Sequence, residues 1–176
     1  SWMVCPHREL PWEGRDRFDL SGFSLPAYRV ETSTDTTIIE TSKLRVVVAH
    51  QGLRLQWHAR CEGEWQLFAR DRQTQSYNFG QWGAGIFHYL QRTRSEQYFG
   101  LGEKSGDMDR AGRRLRMLAI DALGYDAETS DPLYKHIPFY ITRDRRQPLA
   151  FGLFYDNPAS AVFDLGQELD NYHGLY

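Results

Sequence analysis

The sequence predicts an all-β domain, folded as a sandwich or barrel of antiparallel strands. Short runs in which apolar and polar residues alternate recur at a spacing of about 8–12 residues, with turn residues between them, as in successive hairpins. No long segment shows a convincing helical period. Aromatic residues make up 14% of the chain, and the core of a β-sandwich accounts for most of them.

The expected strands cover 27–30, 37–41, 44–49, 53–57, 65–69, 86–93, 115–120, 136–141, 149–155 and 161–165. The run at 44–49 is continuously apolar, which is typical of a strand that is buried on both faces. Residues 1–35 are expected to be largely irregular, with short strands at 2–5 and 27–30, and either precede or begin the sandwich domain of residues 36–176. Residues 169–176 are expected to be a loop at which the chain has been cut.

At 176 residues, the chain is long enough for one domain with a sizeable core. Its net charge of -2 gives no general reason to expect binding to nucleic acid or to an acidic membrane surface. No apolar run approaches the ~20 residues of a membrane span, and no signal peptide is visible. Cys5 and Cys61 form neither a disulfide framework nor a metal spacing, so we expect both to be reduced in a cytoplasmic protein.

The densest cluster of unusual residues lies at 98–141. Its glycines fall close together, at Gly100, Gly102, Gly106 and Gly112. They match neither the dinucleotide pattern G-x-G-x-x-G nor a Walker loop, so their expected roles are tight turns and close backbone packing. Asp121 follows the apolar run 115–120. A carboxylate at the end of a buried strand either accepts hydrogen bonds from a substrate or caps the next turn, here at Gly124.

Other acids of this stretch have simpler expected roles. Glu103 sits among the glycines, where an acid more often accepts backbone N–H bonds than ligates or catalyses. Asp126, Glu128 and Asp131 share one loop and suggest calcium, but they match no EF-hand pattern. A polar surface loop is therefore favoured over a metal site.

Basic and nucleophilic residues give no catalytic pattern. A basic run within the stretch is expected to form a solvated face or local ion pairs; it consists of Arg110, Arg113, Arg114 and Arg116. The histidines show no zinc spacing. The sequence also lacks a G-x-S-x-G element and the context of a cysteine nucleophile.

Three ordered motifs of the stretch resemble one known family. They are YFGLGEK at 98–104, DALGYD at 121–126 and DPLYKHIPFY at 131–140. In this order and spacing they closely resemble the N-terminal domain of glycoside hydrolase family 31, the α-glucosidase family. The segment GLFYDNP at 152–158 also fits this family, and the resemblance extends over residues 37–176.

The resemblance implies a galactose-mutarotase-like β-sandwich that packs against a (β/α)8 barrel following it in the chain. In the family, the barrel supplies the aspartate nucleophile and the acid/base aspartate of a retaining mechanism on glycosides. This chain is therefore expected to hold no catalytic residue, metal or cofactor, and to be inactive alone. Its expected partners are its own barrel and an α-linked oligosaccharide or glycoside.

The resemblance also assigns two substrate-binding residues. Asp121 matches the family position whose carboxylate contacts sugar hydroxyls, and Tyr134 matches an aromatic residue that lines the same region. Glu103 and the glycines carry over as structural. The surface meant for the barrel should be an exposed apolar patch larger than the few hundred Å² of ordinary monomers, with homo-oligomer formation as one consequence.

Two other functions stay open on the sequence. The chain could act alone as a carbohydrate-binding module, whose rings stack on sugars. The candidates for stacking are Trp82, Phe87, Tyr89, Tyr98, Tyr134, Phe139 and Tyr140. A mutarotase-like enzyme is the third alternative; it needs a His/Glu acid–base pair in an open groove, and no such pair is evident in the sequence.

Overall fold

The computed structural model describes Gly22 and residues 24–79, 85–157, 159–170 and 172–175. Within these residues every regular element is a strand. The strands are β1 (Tyr28–Thr32), β2 (Thr36–Thr41), β3 (Leu44–Ala49), β4 (Arg54–Cys61), β5 (Glu64–Arg70), β6 (Tyr77–Phe79), β7 (Ile86–Gln91), β8 (Glu96–Gly102), β9 (Arg114–Met117), β10 (His136–Asp144), β11 (Ala150–Phe154), β12 (Ala161–Asp164) and β13 (Tyr172–Leu175). Their pairs are antiparallel.

The first sheet is a meander in which β1 to β5 pair in sequence order. The predicted strand at 44–49 forms with the predicted bounds, but the expectation that both its faces are buried is wrong. Only Val48 of β3 is fully buried, and Leu44 is exposed. β-Branched side chains favour a strand whether one or both of its faces are buried. An apolar run of this kind therefore predicts that a strand forms, but not how deeply the strand is buried.

The other two sheets pack against each other and confirm the predicted antiparallel sandwich. One has the order β11-β10-β8, and the other has the order β6-β7-β13-β12-β9. A single cluster of buried side chains joins them: Tyr98, Leu101, Leu115, Met117, Tyr140, Phe163, Leu165 and Leu175. The core therefore lies between the strands that flank the 98–141 stretch and the last strands of the chain.

Three strands were not expected from the sequence. β13 lies in the region predicted to be a loop, yet it pairs with β7 on one side and β12 on the other. β6 lies in a polar, glycine-rich stretch, and β8 includes two glycines that were assigned to a turn. β8 and β13 pair with strands distant in sequence, β10 and β7, and a local pattern does not show such pairing. β6 pairs with the neighbouring β7, but its three residues are too few to show an alternating pattern.

Gly100 and Gly102 allow β8 to approach β10 closely. Both have positive φ, 133° and 78°, in the region that favours glycine. A Cβ on Gly100 would lie 2.6 Å from the Phe139 carbonyl oxygen, and one on Gly102 would lie 2.9 Å from the Ile137 nitrogen. The expected close backbone packing is confirmed, although these glycines belong to a strand and not to a turn.

Buried polar side chains connect the first sheet to the sandwich. His88 lies between the Asp71 carboxylate and the Tyr155 hydroxyl, and each of its ring nitrogens is 2.9 Å from one of them. The second carboxylate oxygen of Asp71 accepts the Leu55 amide N–H at 2.9 Å. The Asp71–His88 pair thus spans two sheets, because Leu55 is in β4 and His88 is in β7.

Two further observations concern membrane spans and cysteines within the described residues. No helix within the described residues is long and apolar enough to cross a bilayer. Cys61, at the end of β4, is a half-buried free thiol. Cys5 and the strand expected at 2–5 lie outside the described residues.

Candidate functional site

The loop between β9 and β10, residues 118–135, borders a groove of about 490 Å³. This volume lies in the range of small-molecule sites. The groove is lined by the end of β9, the start of β10, the turn after β11 and part of β13. Its lining residues include Met117, Tyr134, His136, Pro138, Tyr155 and Asn157.

Asp121 lies within the loop and not at the end of a buried strand, so that part of the sequence prediction is wrong. β9 ends at Met117 because its partner strand β12 begins opposite, at Ala161. The next residues no longer have a neighbour to pair with, and Leu118 and Ile120 are exposed. Asp121 is therefore an exposed carboxylate on a loop.

The structure brings Asp121 and Tyr134 together. Partial burial raises the pKa of Tyr134, and the neighbouring Asp121 carboxylate adds to this through its charge and its hydrogen bond with the tyrosine hydroxyl. The contact shown by this carboxylate is thus with Tyr134, not with the turn at Gly124. Tyr125 packs edge-on against Tyr134, with ring centres 6.2 Å apart. A carboxylate, a hydroxyl and aromatic rings side by side can bind both the hydroxyls and the apolar face of a sugar.

The base of this loop carries an ionic contact that the sequence analysis missed. Asp131 accepts the Arg116 amide N–H at 2.7 Å and the Lys104 ammonium at 3.1 Å. The Lys104 side chain has no exposed surface. Membership of the YFGLGEK motif was the only signal for Lys104, and nothing in its local sequence indicates burial. The two residues come together because β8, β9 and β10 meet below the loop.

Two acids of the loop, Asp126 and Asp131, make hydrogen bonds within the protein. One carboxylate oxygen of Asp126 accepts the amide N–H groups of Glu128 at 2.9 Å and Thr129 at 2.8 Å, and with the Thr129 hydroxyl these bonds lower the pKa of Asp126. Asp131 points to the base of the loop instead. Over the part of the chain that the structure describes, no three His, Cys, Asp or Glu side chains are arranged to hold a metal ion.

Glu103 has a different structural role from the one expected. Its carboxylate lies 3.6 Å from the Lys135 ammonium, so it forms an exposed ion pair where backbone N–H bonds were expected. Its own amide N–H donates to the Lys135 carbonyl at 2.8 Å. Glu103 thus contacts the end of the loop, beside Tyr134.

The basic run divides into two groups. Arg114 and Arg116 form ion pairs with Asp164 at 3.2 Å and Asp131 at 3.9 Å, as expected. Arg110 departs from the expectation of a solvated face, because it is buried and donates to the backbone carbonyls of its own loop. Burial and the charge of nearby Arg113 lower the pKa of Arg110.

The structure contains a histidine–carboxylate pair, but in an enclosed place. The Asp71 side chain has no exposed surface, and both ring nitrogens of His88 are occupied, by Asp71 and by Tyr155. An acid–base pair for mutarotation must reach a substrate in an open groove. The geometry of this pair is that of a structural contact between sheets.

Only some of the aromatic candidates are placed for contact with a sugar. Tyr98 and Tyr140 belong to the buried core, so their rings cannot stack on a ligand. Tyr134 and Phe139 are exposed. Trp82 lies outside the described residues.

A comparison with family models matches residues 9–164 to the glycosyl hydrolase 31 N-terminal galactose mutarotase-like domain. Two curated proteins are similar over a shorter stretch. α-Glucosidase 2 of Bacillus thermoamyloliquefaciens is 32% identical over 78 residues, which is 44% of this chain and 10% of the relative. An α-glucosidase of Saccharolobus solfataricus is 37% identical over 73 residues, which is 42% of this chain and 10% of the relative.

Solved structures show the same fold. The GH31 dextranase of Flavobacterium johnsoniae, determined with isomaltotriose, superposes with a TM-score of 0.71 at 30% sequence identity. The superposition covers 84% of this chain and 17% of the dextranase chain. The present chain therefore spans only about a tenth to a sixth of the length of these relatives.

Proposed function

The chain belongs to the glycosyl hydrolase 31 N-terminal galactose mutarotase-like domain family, and we propose that it is the non-catalytic β-sandwich of an α-glucosidase-type retaining hydrolase. In this role it supports a (β/α)8 barrel and lends the 118–135 loop to the substrate pocket. The substrate class is an α-linked oligosaccharide or glycoside. The names of the relatives, two α-glucosidases and a dextranase, support this class.

The observation that carries the proposal is the contact between Asp121 and Tyr134 beside the groove. An exposed carboxylate on a loop keeps free lone pairs, which accept hydrogen bonds from sugar hydroxyls. The Tyr134 hydroxyl donates its one hydrogen to Asp121, and its oxygen is left to accept a hydrogen bond from a sugar hydroxyl. These two residues bind and orient a sugar. The two carboxylates that retaining hydrolysis requires come from the barrel in this proposal.

Replacing Asp121 by alanine in the full-length hydrolase is expected to lower kcat/KM for α-glucosides. Loss of a hydrogen bond to a charged group costs enough free energy for a decrease of roughly 10–100-fold. Steady-state kinetics on an α-glucoside and on isomaltose measure the effect.

Asp35→Ala is the matched control, since Asp35 is an exposed aspartate in the β1–β2 turn of the first sheet. Tyr134→Phe removes the hydroxyl and keeps the ring, so it separates hydrogen bonding from stacking. Wild-type kinetics in Asp121→Ala, with both variants folded, would remove Asp121 from the pocket.

The surface that we assign to the barrel is an apolar face on the outer side of β10. It consists of Ile137, Phe139 and Ile141, which are exposed and alternate along the strand, together with Phe154, the cross-strand partner of Phe139 on β11. Alternation puts the three β10 residues on one side of the sheet. Exposed apolar faces of this kind mark interaction surfaces in proteins.

The isolated chain is expected to self-associate through this β10 face, and Ile137→Lys is expected to weaken the association at least about tenfold, from the loss of one buried aliphatic side chain. Sedimentation velocity over a range of concentrations measures this. Val30→Lys on β1 is the control, because Val30 and Ile137 are both 53% exposed. A wild-type chain that stays monomeric at every concentration, or an equal effect of both variants, would argue against the assigned surface.

A further inference from the structure

Lys104 is a fully buried cation whose bonding capacity is satisfied. Its ammonium group contacts three acceptors: the Arg116 carbonyl oxygen at 2.5 Å, Asp131 Oδ1 at 3.1 Å and His136 Nδ1 at 3.3 Å. A lysine ammonium has three N–H donors, so each has an acceptor. Burial lowers the pKa of Lys104, and the Asp131 carboxylate opposes this shift.

The three acceptors come from both ends of the 118–135 loop. Arg116 lies in β9, just before the loop, and His136 is the first residue of β10, just after it. Asp131 lies near the end of the loop, and its second oxygen accepts the Arg116 amide N–H at 2.7 Å. The Arg116 guanidinium in turn contacts the Asp131 carbonyl. Lys104 and Asp131 therefore close the neck of the loop.

The segment that carries Lys104 is itself held in place. The buried Arg110 guanidinium donates to the carbonyl oxygens of Ser105 at 3.0 Å and of Lys104 at 3.3 Å. The Lys104 backbone is thus bound on one side, while its side chain binds the loop on the other. Because the backbone of Lys104 is fixed, its side chain can fix the position of the loop that it binds.

We propose that Lys104 is a positioning residue for the substrate loop, which holds Asp121 and Tyr134 at the groove by fixing both ends of the 118–135 segment. The proposal rests on the proposed function of that loop in sugar binding. It differs from a purely structural role for Lys104, in which the lysine would stabilise the domain and leave the geometry of the pocket unaffected.

The first test is a double-mutant cycle in the full-length hydrolase with Lys104→Met and Asp121→Ala. Lys104→Met keeps the length of the side chain and removes the charge. We expect it to raise KM for an α-glucoside by roughly 3–30-fold, with a smaller change in kcat, since residues that act through others change binding by that order. In the Asp121→Ala background the same change should have a clearly smaller effect on KM, because Tyr134 is then the one positioned residue that remains.

The control is Lys43→Met, an exposed lysine in the β2–β3 turn, which should leave KM unchanged. If Lys104→Met does not fold, Asp131→Asn preserves the shape of the neck and removes its negative charge, and it should give the same pattern. If Asp121→Ala changes KM but neither Lys104→Met nor Asp131→Asn does, the positioning role is overturned and the proposed function stays intact. A silent Asp121→Ala would overturn the proposed function itself.

Hydrogen exchange in the 176-residue chain gives a readout that needs no activity. The Arg116 amide, bound to Asp131, should exchange at least about tenfold faster in Lys104→Met than in wild type, while amides of β3 keep their rates. Unchanged exchange at Arg116 would show that Lys104 does not anchor the loop. If the Arg116 amide in β9 and the amides of β3 exchanged faster by the same factor, the variant would have lost stability globally. That result would also overturn the proposal.

Discussion

Gly102→Ala is expected to destabilise the domain by about 2–4 kcal/mol. Two costs add: alanine at positive φ strains the backbone by about 1 kcal/mol, and steric overlap in a packed place adds about 1–3 kcal/mol. The overlap is with main-chain atoms, since the new Cβ would collide with the Lys135 carbonyl and lie 2.9 Å from the Ile137 nitrogen. Neither atom can move without separating β8 from β10.

Chemical denaturation and calorimetry measure this loss, which corresponds to a fall in Tm of about 4–16 °C for a chain of this length. Gly52→Ala is the matched control. Gly52 has nearly the same φ, 74° against 78° for Gly102, but its Cβ would meet no atom within 4 Å. It should therefore show the strain alone, about 1 kcal/mol. Equal losses in the two variants would mean that the approach of β8 to β10 contributes nothing.

The consequence of this close approach extends to the proposed pocket. Gly102 places the next residues, Glu103 and Lys104, directly against the ends of the 118–135 loop. A residue with a side chain at position 102 would push these contacts apart. Under the proposed function, these glycines thus help the scaffold to present Asp121.

The sequence predicted correctly those strands that are specified by their own residues and by the turns beside them. The hairpins of the first sheet follow from alternation and turn residues, and their strands lie within a few residues of the predicted bounds. β13 was missed for the opposite reason. Its four residues include Gly174 and His173, and its stability comes from β7 and β12, which flank it on both sides. A strand of this kind can be found only when its partners are known.

The candidate site divides in the same way. The Asp121–Tyr134 pair was predicted from motifs, and the structure places these residues in contact. Their participation in sugar binding stays a prediction. Lys104 was not predicted as part of the site, because its burial results from three strands meeting at one point. Lysine is rarely buried in proteins, so the residue type alone predicts an exposed side chain at this position.

His173 gives the second large prediction, a loss of stability in acid. Its side chain is buried in the core, where Nδ1 lies 3.2 Å from the Tyr140 hydroxyl and the ring packs 5.1 Å from the ring of Tyr98. Burial, together with the charges of His88 and Arg92, lowers the pKa of His173 from 6.5 to about 3. The neutral imidazole therefore fits the core, and the imidazolium does not.

The lowered pKa of His173 makes the free energy of unfolding depend on pH. Between pH 6.5 and pH 3 the unfolded chain binds a proton at His173 and the folded chain does not, so the free energy of unfolding rises with pH in this range. The contribution is fully present above pH 6.5 and is lost as the pH falls towards 3. From pH 7 to pH 4 the loss amounts to about 3 kcal/mol.

His173→Gln should remove this pH dependence, because glutamine offers a polar group to Tyr140 and does not titrate. The measurement is the free energy of unfolding by urea at several pH values from 7 to 4, for both proteins. The other titrating groups are common to the two, so the difference between the curves reports His173. Wild type should lose about 3 kcal/mol more than the variant over this range. Parallel curves would mean that His173 is protonated in the folded chain, with the core open enough to admit its charge.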